Sequence, residues 1–224
     1  MKKEKKLLQF GEEVEGYDAP VLNEREIRAA AGILFLVMAV SLSFVLFKGN
    51  FLLIKYVIIG FFTDFLIRVI INPKFSPTLI MGRMIVSRQV PEYVGAPQKK
   101  FAWTIGLALS GLMFFLLVIV NSYSVITGSI CLVCLVFLFF ETAFGICLGC
   151  LFYPFFYKTQ MRYCTGDSCD QAKEKPVQNT TWAQRLIVLG FVVSIGLAAF
   201  FFNDRFREAP RKLWTILQSE EHRH

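Results

Sequence analysis

Histidine is almost missing from this 224-residue sequence: there are two, His222 and His224, both in the charged tail. That leaves no imidazole among the apolar segments for a Ser-His-Asp set, a helical zinc-protease motif or a haem ligand, so haem is not expected as a cofactor. A glycine-rich phosphate loop is also absent. Charge is scarce as well, at 18% of residues, and it is concentrated in the tails and connecting loops. The net charge of +7 is carried by Lys and Arg at the ends of apolar runs. Anionic lipid and topology account for that placement, and nucleic acid is not an expected partner. Acidic residues such as Glu12, Glu13, Glu15 and Asp18 separate Lys2 and Lys3 from the first apolar run, which argues against a cleavable signal peptide.

What is present is apolar surface in excess of what one soluble core can bury: 55% hydrophobic residues, 24 phenylalanines and a mean hydropathy of +0.52. Runs at about 29–47, 51–71, 101–120, 125–157 and 186–202 each reach or approach the roughly 20 residues that cross a bilayer. The run from Val125 to Tyr157 exceeds that length and must tilt, kink or protrude. Between the second and third runs, Ser76-Pro77 opens a stretch to about Val94 that carries Arg83 and Arg88. It is too short and too charged to span, so it belongs along the membrane surface. The sequence therefore predicts an all-α integral membrane protein, a helical bundle of about five transmembrane spans with an interfacial amphipathic helix. It divides into an N-terminal segment (1–28), a four-span core (29–157), a polar cysteine-containing loop (158–185), and a fifth span with a charged tail (186–224). Lys and Arg favour the N-terminal segment and the 73–100 and 158–185 loops, which places the N-terminus in the cytoplasm of a bacterial-type inner membrane. Arg205, Arg207, Arg211 and Lys212 then fall outside, against the same rule.

All six cysteines come in close pairs: Cys131 with Cys134, Cys147 with Cys150, and Cys164 with Cys169. The first two have the C-x-x-C spacing that lets two thiols on one turn approach each other and lowers the pKa of one. Three readings are open. Cys147 and Cys150 can exchange electrons with Cys164 and Cys169 as a membrane thiol redox protein. The same four can hold a structural zinc ion, with no other cofactor expected. Or cysteine serves as a small apolar packing residue in an accessory subunit of a larger membrane complex. For Cys131 and Cys134, packing is the expected role. On an unbroken helix they lie about 24 Å from Cys147 and Cys150, too far for exchange.

Ionisable residues inside spans need a partner or a task. Asp64 and Arg68, four apart, share a helix face and are expected to pair. Glu141 has no obvious partner and is expected either to hydrogen-bond to another helix or to relay a proton. Asn23-Glu24-Arg25-Glu26 reads as a capped helix start at the interface.

Taken together, Asn23-Glu24 with Arg28, Asp64 with Arg68, Ser76-Pro77, Pro97-Gln98-Lys99-Lys100-Phe101-Ala102, and Glu141 followed by Gly145-Ile146-Cys147-Leu148-Gly149-Cys150 resemble a bacterial domain-of-unknown-function family. This is the DUF4395-like group of small four-helix inner-membrane proteins. Lys100 stands where arginine is expected. The resemblance covers about 21–157 and implies that Cys147 and Cys150 belong to a common core, with Cys164, Cys169 and the fifth span as additions; it implies no reaction.

Overall fold

The computed structural model describes residues 10–14, 17, 19–157 and 180–212. Cys164 and Cys169, with most of the loop around them, lie outside these residues, as do His222 and His224.

A short strand β1 (Val21–Asn23) leads into α1 (Glu24–Lys48), whose first turn is capped by the Asn23 side chain accepting from the Arg25 amide at 3.1 Å. The helix starts five residues before the apolar run does, because Glu24 and Glu26 are buried in ion pairs and not solvated. Helix α2 (Leu52–Leu66) continues into a π turn, Ile67–Ile71, and together they make the second crossing. Ser76 then caps α3 (Pro77–Val86), with Pro77 in the first turn, where its missing N–H costs nothing. One face of this ten-residue helix packs on α1, while Met84 and Ile85 face outward, as expected of an interfacial helix. Strand β2 (Tyr93–Gly95) returns antiparallel to β1 and ties the N-terminal segment to the start of α4 (Ala96–Met113). A π turn, Phe114–Ile119, completes that span.

Asn121, at φ +51°, reverses the chain through β3 (Ser122–Tyr123) into α5 (Val125–Phe144), which opens with a Ser124/Thr127 capping box. The long fourth run is therefore not one helix. It stops at Gly145, and two short helices follow, α6 (Leu148–Leu151) and α7 (Tyr153–Tyr157). Helix α8 (Trp182–Arg207) ends near β4 (Arg211–Lys212), which pairs in parallel with β3.

Four helices, α1, α4 with its π turn, α5 and α8, are each long and apolar enough to cross a membrane. With α2 they form about five spans. Helix α1 is central, against α2, α3 and α5; α4 packs on α2 and α6; α8 packs on α2 and α3. The surfaces of α5 and α8 are mostly exposed and apolar, with Phe200 at 81%. Exposed apolar area on this scale belongs against lipid, and the protein is a multi-pass membrane protein.

Helix α8 crosses the whole bundle. Gln184 near its start reaches the Lys74 carbonyl, and its far end meets Lys55. The basic tail thus shares an end with the 49–51 and 120–124 turns, opposite Glu24, as five crossings require. Lys55 holds it there: the 1%-exposed ammonium donates to Asn121 Oδ1 at 2.7 Å and to the carbonyls of Glu208 and Phe206 at 3.0 and 3.2 Å. Nothing in the sequence distinguished this lysine. Lys55→Met leaves three acceptors without their donor and is expected to loosen the end of α8 by about 1–3 kcal/mol. Amide exchange over 203–211 then speeds up roughly tenfold or more, while exchange in α1 is unchanged.

Candidate functional site

The end of the bundle that holds Glu24 carries a buried ionic triad. Glu24 is the first residue of α1, Lys99 lies on the first turn of α4, and Glu141 on the last turn of α5. The Lys99 ammonium sits 2.8 Å from Glu24 Oε2 and 2.5 Å from Glu141 Oε1. Glu24 is fully buried, with no hydrogen-bond donor at Oε1 among the described residues, and Lys99 is 4% exposed. Glu141 thus has a hydrogen-bond partner on another helix, one of the two roles the sequence left open, and the helix start at Glu24 is capped as expected but has its first carboxylate buried. In the sequence Lys99 stands only among the charges of the 73–100 loop and in the Pro97–Ala102 motif. Its neighbour Lys100 is exposed, whereas Lys99 stands one turn before buried Trp103 on the inward stripe of α4, and that periodicity was the available signal.

Gly145 fixes the cysteines beside the triad. At φ +69° its amide and that of Ile146 bond back to the carbonyls of Glu141 and Phe140, both at 3.1 Å, ending α5. A Cβ at Gly145 would also come 3.1 Å from the Arg28 guanidinium packed over the turn. The chain then doubles back against α4, where Gly149 approaches Ala102 so closely that a Cβ would lie 2.7 Å from its methyl. Cys147 becomes the N-cap of α6, partly exposed, and Cys150 is buried at 8%. Both thiols are free and in side-chain hydrogen-bond contact, within electrostatic reach of the Lys99 ammonium. The hydrogen bond to Cys150, together with burial, pushes the Cys147 thiol well above the usual range, and Lys99 opposes this only in part.

A cavity of about 80 Å³ runs from this site into the bundle. Its inner wall is buried side chains of α1 and α2, among them Ala31, Phe61, Phe65 and Arg68. Its other wall, from α4, α5 and α6, includes the partly exposed Ala102, Leu109, Phe137 and Cys147. Cys134 lines the same cavity, and because α5 ends at Gly145 the straight-helix distance of about 24 Å does not apply. Cys131 is buried in a separate cluster with Ile54, Ile58, Met113 and Leu117, where packing accounts for it.

Asp64 and Arg68 pair as expected, at 2.8 Å, and do more. Asp64 accepts from the Ser76 hydroxyl at 2.7 Å and from the Thr78 amide and hydroxyl at 3.1 and 2.7 Å. Arg68 donates to the Ser76 and Thr78 hydroxyls. This cluster staples α2 to the start of α3, and the flat guanidinium stacks near Phe65 and Trp103. Two arginines elsewhere serve the same end of the bundle: Arg83 forks onto Glu26 at 3.0 Å and Arg25 pairs with Glu92.

Among the described residues no group of three or more His, Cys, Asp or Glu is arranged to hold a metal ion; the four-cysteine zinc site requires Cys164 and Cys169, which lie outside them. Fold and site define a polytopic helical membrane protein with a buried ionic triad beside a vicinal thiol pair. The chain belongs to the family described as a domain of unknown function, DUF4395, whose profile matches residues 22–158 and so takes in the triad, the Asp64 cluster and both C-x-x-C pairs. No curated protein and no solved structure matches the chain.

Proposed function

We propose that this is a membrane thiol–disulfide redox protein in which Cys147 and Cys150 interconvert between dithiol and disulfide. The observation that carries this reading is the asymmetry of the pair: an accessible Cys147 in hydrogen-bond contact with a buried Cys150, beside a clamped lysine ammonium. Exchange chemistry needs one thiol that a partner can reach and a second, shielded thiol to resolve the mixed disulfide. Lys99 favours the thiolate electrostatically once the proton leaves. The loop pair Cys164 and Cys169 would be the thiol partner of Cys147 and Cys150. The distribution of Lys and Arg supports a cytoplasmic location for this end, in a bacterial-type inner membrane.

The test is mass-shifting alkylation of the purified protein in mild detergent across a series of glutathione redox buffers, with a metal assay on the same sample. A two-electron transition confined to Cys147 and Cys150, lost in Cys147→Ser and Cys150→Ser, is expected. Because the Cys147 pKa is raised, its alkylation rate when reduced should still be climbing above pH ~10, where an ordinary thiol near 8.5 has levelled off. Unreactive thiols without metal would instead leave an accessory subunit, and stoichiometric zinc a structural site.

A further inference from the structure

The cavity beside Cys147 opens in one direction. Its α1 and α2 walls, including Ile27, Leu34, Phe61 and Arg68, are buried, while Ala102, Leu109 and Phe137 on α4 and α5 are partly exposed. Helices α4 and α5 pack mainly on other partners, α4 on α2 and α6, α5 on α1. Helix α8 lies on the far side, over α2 and α3. The open side is therefore the seam between the two spans, which faces the bilayer.

The interior of this seam has the chemistry of a redox-active ring. Phe61, Phe65 and Trp103 supply aromatic walls, and Arg68 supplies a donor. Its Nε and one terminal nitrogen are used by Asp64, Ser76 and Thr78, whereas Nη1 donates to no group among the described residues although the side chain is 3% exposed. An N–H left without an acceptor at a cavity wall can be met by a ring carbonyl.

We propose that the electron acceptor of the Cys147–Cys150 dithiol is a lipid-soluble quinone that enters the α4–α5 seam from the bilayer, one ring carbonyl accepting from Arg68. This rests on the redox reading of the pair. The step balances: the two S–H bonds break and one S–S bond forms. The two electrons and two protons pass to the quinone oxygens, giving a quinol. About 80 Å³ is roughly half of the ~150 Å³ that encloses a benzene ring, so the ring enters only in part, its remainder and its tail lying in the open seam.

The experiment uses the reduced full-length protein in lipid nanodiscs and a decyl-tailed, fully substituted benzoquinone, which has no free ring carbon for thiol addition. Quinol is followed by absorbance and disulfide by alkylation, with oxidised glutathione as a water-soluble comparison. One quinol per disulfide is expected. Ser110→Phe and Leu109→Trp, which fill the seam from α4, should each slow the quinone reaction at least tenfold and leave glutathione oxidation within twofold. Two seam variants guard against one that misfolds. If glutathione oxidises the pair but the quinone does not, or if both oxidants respond alike to the variants, the quinone assignment fails and the redox reading stands. If neither oxidant yields the disulfide, the redox reading itself fails.

Discussion

Lys99→Met is expected to destabilise the folded protein by about 3–5 kcal/mol, the scale for removing one partner of a buried ion pair. The loss arises less from the two contacts at 2.8 and 2.5 Å than from what remains. Glu24 and Glu141 would be two carboxylates facing each other without the ammonium between them, Glu24 with no access to water. The folded state must then protonate them or open the end of the bundle. Unfolding in mixed micelles by increasing denaturing detergent measures the cost. A triple variant adding Glu24→Gln and Glu141→Gln should recover most of it, because the buried charge disappears along with its partner. A loss below about 1 kcal/mol in the single variant would mean that the triad is solvated, as surface pairs are.

Asp64→Ala should produce a loss of similar size with a different signature. It strands Arg68 inside the bundle and removes the acceptor for the Ser76 hydroxyl and for the amide and hydroxyl of Thr78. The start of α3 is then expected to fray, seen as faster amide exchange over 76–82, while the triad end of α4 stays protected. Asp64→Asn keeps an acceptor oxygen and should cost less than half as much. In a double-mutant cycle with Arg68→Met, the coupling should reach about 1–3 kcal/mol. Near-zero coupling would reduce the staple to two independent residues.

The membrane architecture was legible because it depends on composition along the chain. A run of apolar residues long enough to cross lipid must become a helix there, since no water remains to satisfy its backbone. The same reasoning located α3 between spans, and the four-residue spacing of Asp64 and Arg68 was enough to pair them. It failed where a partner came from far along the chain. Glu141 looked isolated because its cation, Lys99, lies 42 residues away on another helix. Lys55 looked like any lysine near a turn because two of its acceptors are carbonyls more than 150 residues later.

The cysteines divide along the same line. Their pairing and the family resemblance could be read directly, and so could the excess length of the fourth run. That the excess resolves as a break at Gly145 follows from a left-handed residue that bonds back to the last turn of α5. Only the folded chain set Cys147 at the mouth of a cavity shared with Cys134 and beside the Lys99 clamp. The sequence by itself determined which segments enter the membrane, because transfer to lipid is close to a sum over neighbouring residues. The tertiary structure decided which charges and thiols meet, because those contacts depend on how separate helices pack.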